Sequence, residues 1–180
     1  MKIWLEKDQN FTSWKIQNEI IKLLISKIQR RLMSTLKDRK EFCLIVYETT
    51  DNSGREQVSI CVRVIDDDLC PEELFLGLYE VSSTTADNLK AVILDALKRY
   101  SLSINDLRAQ CYDGAKNMSG IHRGVAAQIL KLQPMAVYVH CYAHSLNLAV
   151  QDTVKQIPLL RDTMAIVHEV SVVVRASPKR

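Results

Sequence analysis

The chain changes its hydrophobic period just after residue 81, and that change limits the folds open to it. Ahead of the change lie three strand-like runs joined by short connections. "FCLIVYETTD" (residues 42–51) begins apolar and ends in acids and hydroxyls, with its strand expected over roughly Phe42–Glu48. "EQVSICVRVI" (56–65) alternates Val58, Ile60, Val62 and Val64 with more polar residues, the period-two pattern of a half-covered strand. "ELFLGLYEV" (73–81) follows the break "DDDLCP", while "DNSG" (51–54) is a turn signal. Connections this short predict an antiparallel meander. Beyond residue 81 the period becomes helical. "TTADNLKAVILDALKRY" (84–100) places Leu89, Ile93 and Leu97 on one face behind a Thr cap. A short strand "LRAQCY" (107–112), a loop "DGAKNMSG" (113–120) and a helix "HRGVAAQILKL" (122–132) come next. They are followed by a strand "MAVYVHC" (135–141), a helix over 143–157 that Pro158 ends or kinks, and an apolar helix over 159–175.

The order βββαβαβα predicts an α/β fold with a mixed five-strand sheet, three strands antiparallel and two parallel. If the fourth strand lies beside the first, their C-terminal ends share the edge where open α/β sheets take ligands. Position 47 would then face Asp113.

An amphipathic helix over residues 13–38, capped by Thr12 or Ser13, precedes the sheet and carries Ile21, Leu24, Ile25, Ile28, Leu32 and Leu36 as one stripe. Residues 1–40 are thus expected to form a helical arm and 41–180 the core. The net charge is only +3, but residues 15–40 hold eight cations against Glu19 and Asp38. Lys22, Arg30 and Arg31 are the expected phosphate contacts if DNA is bound; otherwise the face is solvated surface. Hydrophobic residues make up 47% of the chain, enough for a real core. Five cysteines without a C-x-x-C pair point to a reducing compartment, nucleus or cytoplasm. No apolar run approaches the ~20 residues of a membrane span, and no leader pattern opens the chain.

A metal-dependent nuclease needs carboxylates that hold divalent ions, Mg²⁺ or Mn²⁺, at adjacent strand ends. Asp113 is the acid best placed, though Asp-Gly is also ordinary turn chemistry. Tyr47 is a poor ligand because its phenol is neutral near pH 7. Glu48 points to the opposite strand face from position 47, and Asp51 falls in the turn. Asn117 is expected to stabilise the loop or meet a phosphate. Cys141 and His144 form a C-x-x-H pair, half of a zinc site that lacks a second pair.

"RAQCYDGAKNMSGIHRGVAAQI" (108–129) and "PMAVYVHCYAHSLNLAV" (134–150) together resemble the hAT-superfamily transposase core, in the subgroup found in zinc-finger MYM-type proteins. "TSWKIQNEIIKLL" (12–24), "EQVSICVRVIDDD" (56–68), "EELFLGLYEV" (72–81) and the closing "SPKR" (177–180) extend the resemblance over nearly the whole chain. It implies a ribonuclease-H-like fold and a metal-binding triad of two Asp and one Glu that cuts DNA. Asp113 matches the second Asp. Tyr47 stands where the first Asp is usual, before "ETTD". The third acid would follow a helical insertion beyond Arg180, and a DNA-binding zinc finger would precede residue 1. Cys141 and His144 match a motif that begins the insertion and is associated with handling DNA ends. The resemblance therefore implies a transposase core, and its departures imply one that no longer cuts. Such a core would be retained as a nucleic-acid or protein interaction module, with no small-molecule substrate and partners or a homodimer formed through further regions. The alternative is an active transposase completed by Glu48 or Asp51 and a partner chain. The closing helix, with Ile166, Val167, Val170, Val172, Val173 and Val174, is expected either to be covered by the insertion or to dock a partner.

Overall fold

The computed structural model describes Phe11, residues 13–51 and residues 53–176. Helix α1 (Trp14–Lys37) is capped by Ser13, whose Oγ accepts from the Ile16 amide at 3.4 Å. Thr12, the other expected cap, lies outside the described residues, as does the closing 177–180 segment. Strands β1 (Phe42–Thr50), β2 (Glu56–Ile65) and β3 (Pro71–Glu80) follow, then helix α2 (Ala86–Arg99). A single 3-10 turn leads into β4 (Leu107–Tyr112). Helices α3 (Lys116–Ser119) and α4 (Val125–Leu132), strand β5 (Val137–His140), and helices α5 (Tyr142–Gln156) and α6 (Pro158–Ala176) complete the order. Pro158 opens α6, where its missing amide hydrogen costs nothing. No helix among the described residues is long and apolar enough to cross a membrane.

The five strands form one mixed sheet in the order β3-β2-β1-β4-β5. β1 and β2 pair antiparallel, as do β2 and β3, so the expected meander is present. β1 and β4 pair parallel, with Ile45 opposite Cys111. The C-terminal ends of these two central strands therefore share an edge, as the topology predicts.

Alternation decides which face carries the core. Leu44, Val46, Ile60, Val62, Gln110 and Tyr112 are buried, whereas the intervening Cys43, Ile45, Cys61 and Cys111 are half-buried. Leu89, Ile93, Ala96 and Leu97 of α2 and Val125, Ala126 and Ile129 of α4 belong to the same core cluster. Each fully buried Leu or Ile contributes roughly 1.5–3 kcal/mol of transfer free energy. Gln110, fully buried, donates through Nε2 to the carbonyls of Ala126 (3.1 Å) and Ala136 (2.8 Å), tying β4 to α4 and to the approach to β5. Tyr100 donates its hydroxyl to the Leu76 carbonyl at 2.7 Å, which fastens the end of α2 to β3.

The segment 113–120, read from sequence as a loop, contains α3. Three polar contacts make the turn: Asp113 Oδ1 accepts from the Ala115 amide at 3.1 Å, and Ser119 Oγ donates to the carbonyls of Gly114 and Ala115, each at 3.0 Å. Met118 is fully buried and anchors the turn to the core. A helix of four residues shows too little periodicity to be read from sequence.

Two compact units divide the chain after Val139, residues 1–139 and 140–180. α1 belongs to the first, with Leu36 buried and Leu32 packed against the core. The second contains α5 and α6, which touch one another.

Candidate functional site

The shared edge of β1 and β4 brings three polar side chains together. The β1–β2 register sets Glu48 opposite Val58, on the buried face of the sheet, and Tyr47 opposite Ser59, on the other. Tyr47 is 51% exposed. Its carbonyl accepts from Ser59 Oγ at 3.4 Å.

Glu48 is half-buried, and Asn117 reaches it from α3. Asn117 Nδ2 donates to Glu48 Oε1 at 2.8 Å and to the Thr84 carbonyl at 2.9 Å, while its Oδ1 accepts from the Met118 amide at 3.1 Å. One amide thus joins the end of β1, the approach to α2 and the β4–α3 turn. Burial pushes the Glu48 carboxyl above its ordinary pKa, and the charge of Asp113 pushes it further. Asn117 opposes both, and Glu56 adds a weaker push upward. Asp113 is half-buried at the end of β4, and its backbone carbonyl accepts the Tyr138 hydroxyl at 3.3 Å. The acid that feels Asp113 is therefore Glu48, on the face opposite Tyr47.

Asp51 has a separate task. Its Oδ1 accepts from the Ser53 amide (2.8 Å), the Ser53 hydroxyl (2.7 Å) and the Arg55 amide (2.9 Å), and Oδ2 accepts from Gln57 Nε2 at 3.3 Å. These bonds hold its carboxyl below the usual range, the Ser53 hydroxyl contributing most. It closes the β1–β2 turn.

A two-metal centre needs several oxygen ligands converging on one point; here Glu48 Oε1 is engaged by Asn117, and Asp113 is near enough to act on the Glu48 charge. Among the described residues, no group of three or more His, Cys, Asp or Glu side chains is arranged to hold a metal ion.

Cys141 and His144 belong to the second unit. Cys141 precedes the first turn of α5, and its carbonyl accepts from the Ser145 amide at 3.0 Å and the Ser145 hydroxyl at 3.2 Å. The His144 ring lies against His140, with centroids 5.7 Å apart. Lys22, Arg30 and Arg31 are exposed on α1. Sequence reasoning did not single out Glu56, whose carboxylate accepts from Thr50 Oγ1 at 3.1 and 3.2 Å. Its signal was the strand register, which sets it opposite Thr50.

Comparison with known proteins agrees with this architecture. The human protein named "52 kDa repressor of the inhibitor of the protein kinase" is 24% identical over 175 residues, covering 94% of this chain and 22% of that protein. Its mouse counterpart is 24% identical over 137 residues, covering 76% of this chain and 18% of that protein. The chain thus spans about a fifth of the length of these curated relatives. Residues 3–124, well over half the chain, match the family described as "ZMYM1/FAM200, RNase-like domain", and the chain belongs to that family.

Proposed function

We propose that this chain is a transposon-derived, hAT-type transposase core that no longer cuts DNA and serves as a nucleic-acid or protein interaction module. The observation that carries the loss of chemistry is the divided edge. Tyr47 occupies the position where the resemblance puts an acid, and Glu48 is turned to the other face and bonded to Asn117. Removing one member of a set of groups that act as a unit costs most of the rate.

The interaction role draws on α1. Its 24 residues span about 36 Å at 1.5 Å per residue. Its exposed Lys22, Arg30 and Arg31 would meet phosphates, which position a protein without specifying sequence. Asn117, Cys141 and His144 are further candidates for nucleic-acid contact. The apolar stripe of α1, with Ile21, Leu24 and Ile28 each at least half exposed, suits a protein partner or a second copy. On this reading the protein works in the nucleus or cytoplasm, the nucleus favoured, in keeping with its five free cysteines and with relatives named as repressors.

A second reading, an active metal-dependent transposase completed by a further segment or partner chain, draws on one observation. Asp113 lies near enough to Glu48 to raise its pKa. Calorimetric titration of Mn²⁺ into the chain, with Tyr47→Asp and Asp113→Ala beside it, separates the two. Binding only by Tyr47→Asp supports a lost ligand. Binding by the wild type, lost in Asp113→Ala and matched by Mn²⁺-dependent nicking of plasmid DNA, overturns the inactive reading.

A further inference from the structure

The sheet has a second end, and its chemistry is the reverse of the first. The N-terminal ends of β1 and β4, at Phe42 and Leu107, lie where the chain leaves α1. A groove of about 640 Å³ opens there, between the last turns of α1 and the segment that follows α2. Arg30, Lys37, Arg39 and Lys40 line it together with Ser103, and Asp106 is the acid among its lining residues.

Arg39 is the informative member. Its Nε is buried without a hydrogen-bond partner, and its terminal Nη1 stands 3.7 Å from Asp67, a fully exposed carboxylate. Asp67 lines the neighbouring groove, which Arg39 also borders, so Arg39 brings its charge to both while its Nη1 is turned toward the other. Guanidinium presents a planar fork of donors matched to phosphate oxygens. Four cations against the single acid Asp106 give this groove a net positive lining, which favours an anion.

The groove also continues a surface feature. At about 100° per residue, Lys15, Lys22, Arg30 and Lys37 fall on one side of α1, while Arg31 falls roughly opposite Lys22. The line leads along the helix into the groove. A strand of linked phosphates matches that shape better than an isolated anion does.

We propose that this groove is a phosphate-binding site that takes the backbone of a nucleic acid running along α1, at the end of the sheet remote from Glu48 and Asp113. The proposal rests on the nucleic-acid reading above and narrows it to one surface.

The test is fluorescence anisotropy with a labelled 20-base-pair DNA duplex of arbitrary sequence across a salt series. It uses the 180-residue chain, Lys37→Glu/Lys40→Glu, Arg39→Met and Lys22→Ala/Arg31→Ala. Lys37 and Lys40 are exposed, so that pair probes charge without disturbing the core. Circular dichroism checks that each variant is folded. The expected result is a loss of about tenfold or more for both groove variants, with the slope of log K against log salt flattened by roughly 0.9 for each phosphate contact removed. If the groove variants bind like the wild type and only Lys22→Ala/Arg31→Ala weakens, the groove assignment is overturned and the nucleic-acid reading stands. If the wild type binds no duplex, both are overturned. Inorganic phosphate then shows what remains: shifts of the Lys40, Ser101 and Ser103 amide resonances would make the groove a site for a small phosphate rather than a nucleic acid.

Discussion

Asn117→Ala is the most informative single change at the carboxylate end. The side-chain amide makes two donated bonds, one to the charged Glu48 and one to the Thr84 carbonyl. A neutral bond contributes about 1 kcal/mol net, and a bond to a charged group about 1.5–3 kcal/mol. Glu48 is only half-buried, so water replaces part of the lost bond and the lower end applies. The expected cost at pH 7 is therefore about 2 kcal/mol, a fall in melting temperature of roughly 4–8 °C for a chain of this size. The pH dependence has a definite sign. The folded-state pKa of Glu48 is raised, burial first and Asp113 next, so stability from this group is fully present below its ordinary value of 4.5 and lost as pH rises through the folded pKa. Asn117 pulls that pKa back down, so Asn117→Ala lifts it further and steepens the loss on the weakly acidic side above 4.5. The assay is thermal unfolding by circular dichroism at pH 4 and pH 7, for wild type, Asn117→Ala, Glu48→Gln and the double variant. Glu48→Gln keeps an acceptor oxygen but no charge, so the Asn117→Ala penalty should shrink in that background. An unchanged penalty, or a melting temperature within about 1 °C of wild type, would refute the clamp.

Other positions give sharper yes-or-no outcomes. Gly124→Ala should destabilise by about 1–3 kcal/mol in urea unfolding, because a Cβ there meets the Gly120 carbonyl at 2.7 Å and the Met118 carbonyl at 2.8 Å, with the Gly120 amide nitrogen closer still. Tyr112→Phe should leave stability unchanged or raise it by up to about 1 kcal/mol, since the Tyr112 hydroxyl is buried without a hydrogen-bond partner; a clear loss in the urea midpoint would mean that the hydroxyl is satisfied in solution. Asp51→Ala should flatten the acid limb of the stability curve. Its pKa is lowered in the fold, so its contribution is present above the ordinary value of 3.8 and lost as pH falls through the folded value. Acid titration by circular dichroism reads that change.

The sequence showed the meander, the parallel crossover and the edge where they meet, because β2 alternates cleanly and the helices repeat cleanly. It did not show which face of β1 matters. Cys43 and Ile45 are as apolar as Leu44 and Val46, so β1 looks buried on both sides. The face emerges only from the pairing of β1 with β2, which sets Glu48 opposite Val58. Asp113 lies past the last paired residue of β4, where alternation no longer governs direction. That is why an argument from shared strand ends set it facing Tyr47, whereas its charge acts on Glu48. The groove at the other end was hidden for a related reason. Arg39 and Lys40 sit in a connection whose shape depends on where α2 ends, 60 residues along the chain.

The length of β1 gives the domain two electrical poles. Phe42 lines the cationic groove and Glu48 stands among the acids, six residues apart in one extended strand, roughly 20 Å at about 3.3 Å per residue. Physiological salt screens charges over about 8 Å. A substitution that removes or restores an acid at the carboxylate end is therefore nearly invisible to an anion held at the other. On the proposed reading, acids at the carboxylate end would be free to drift while a hold on a polyanion at the groove is kept, and the two properties would answer to selection separately.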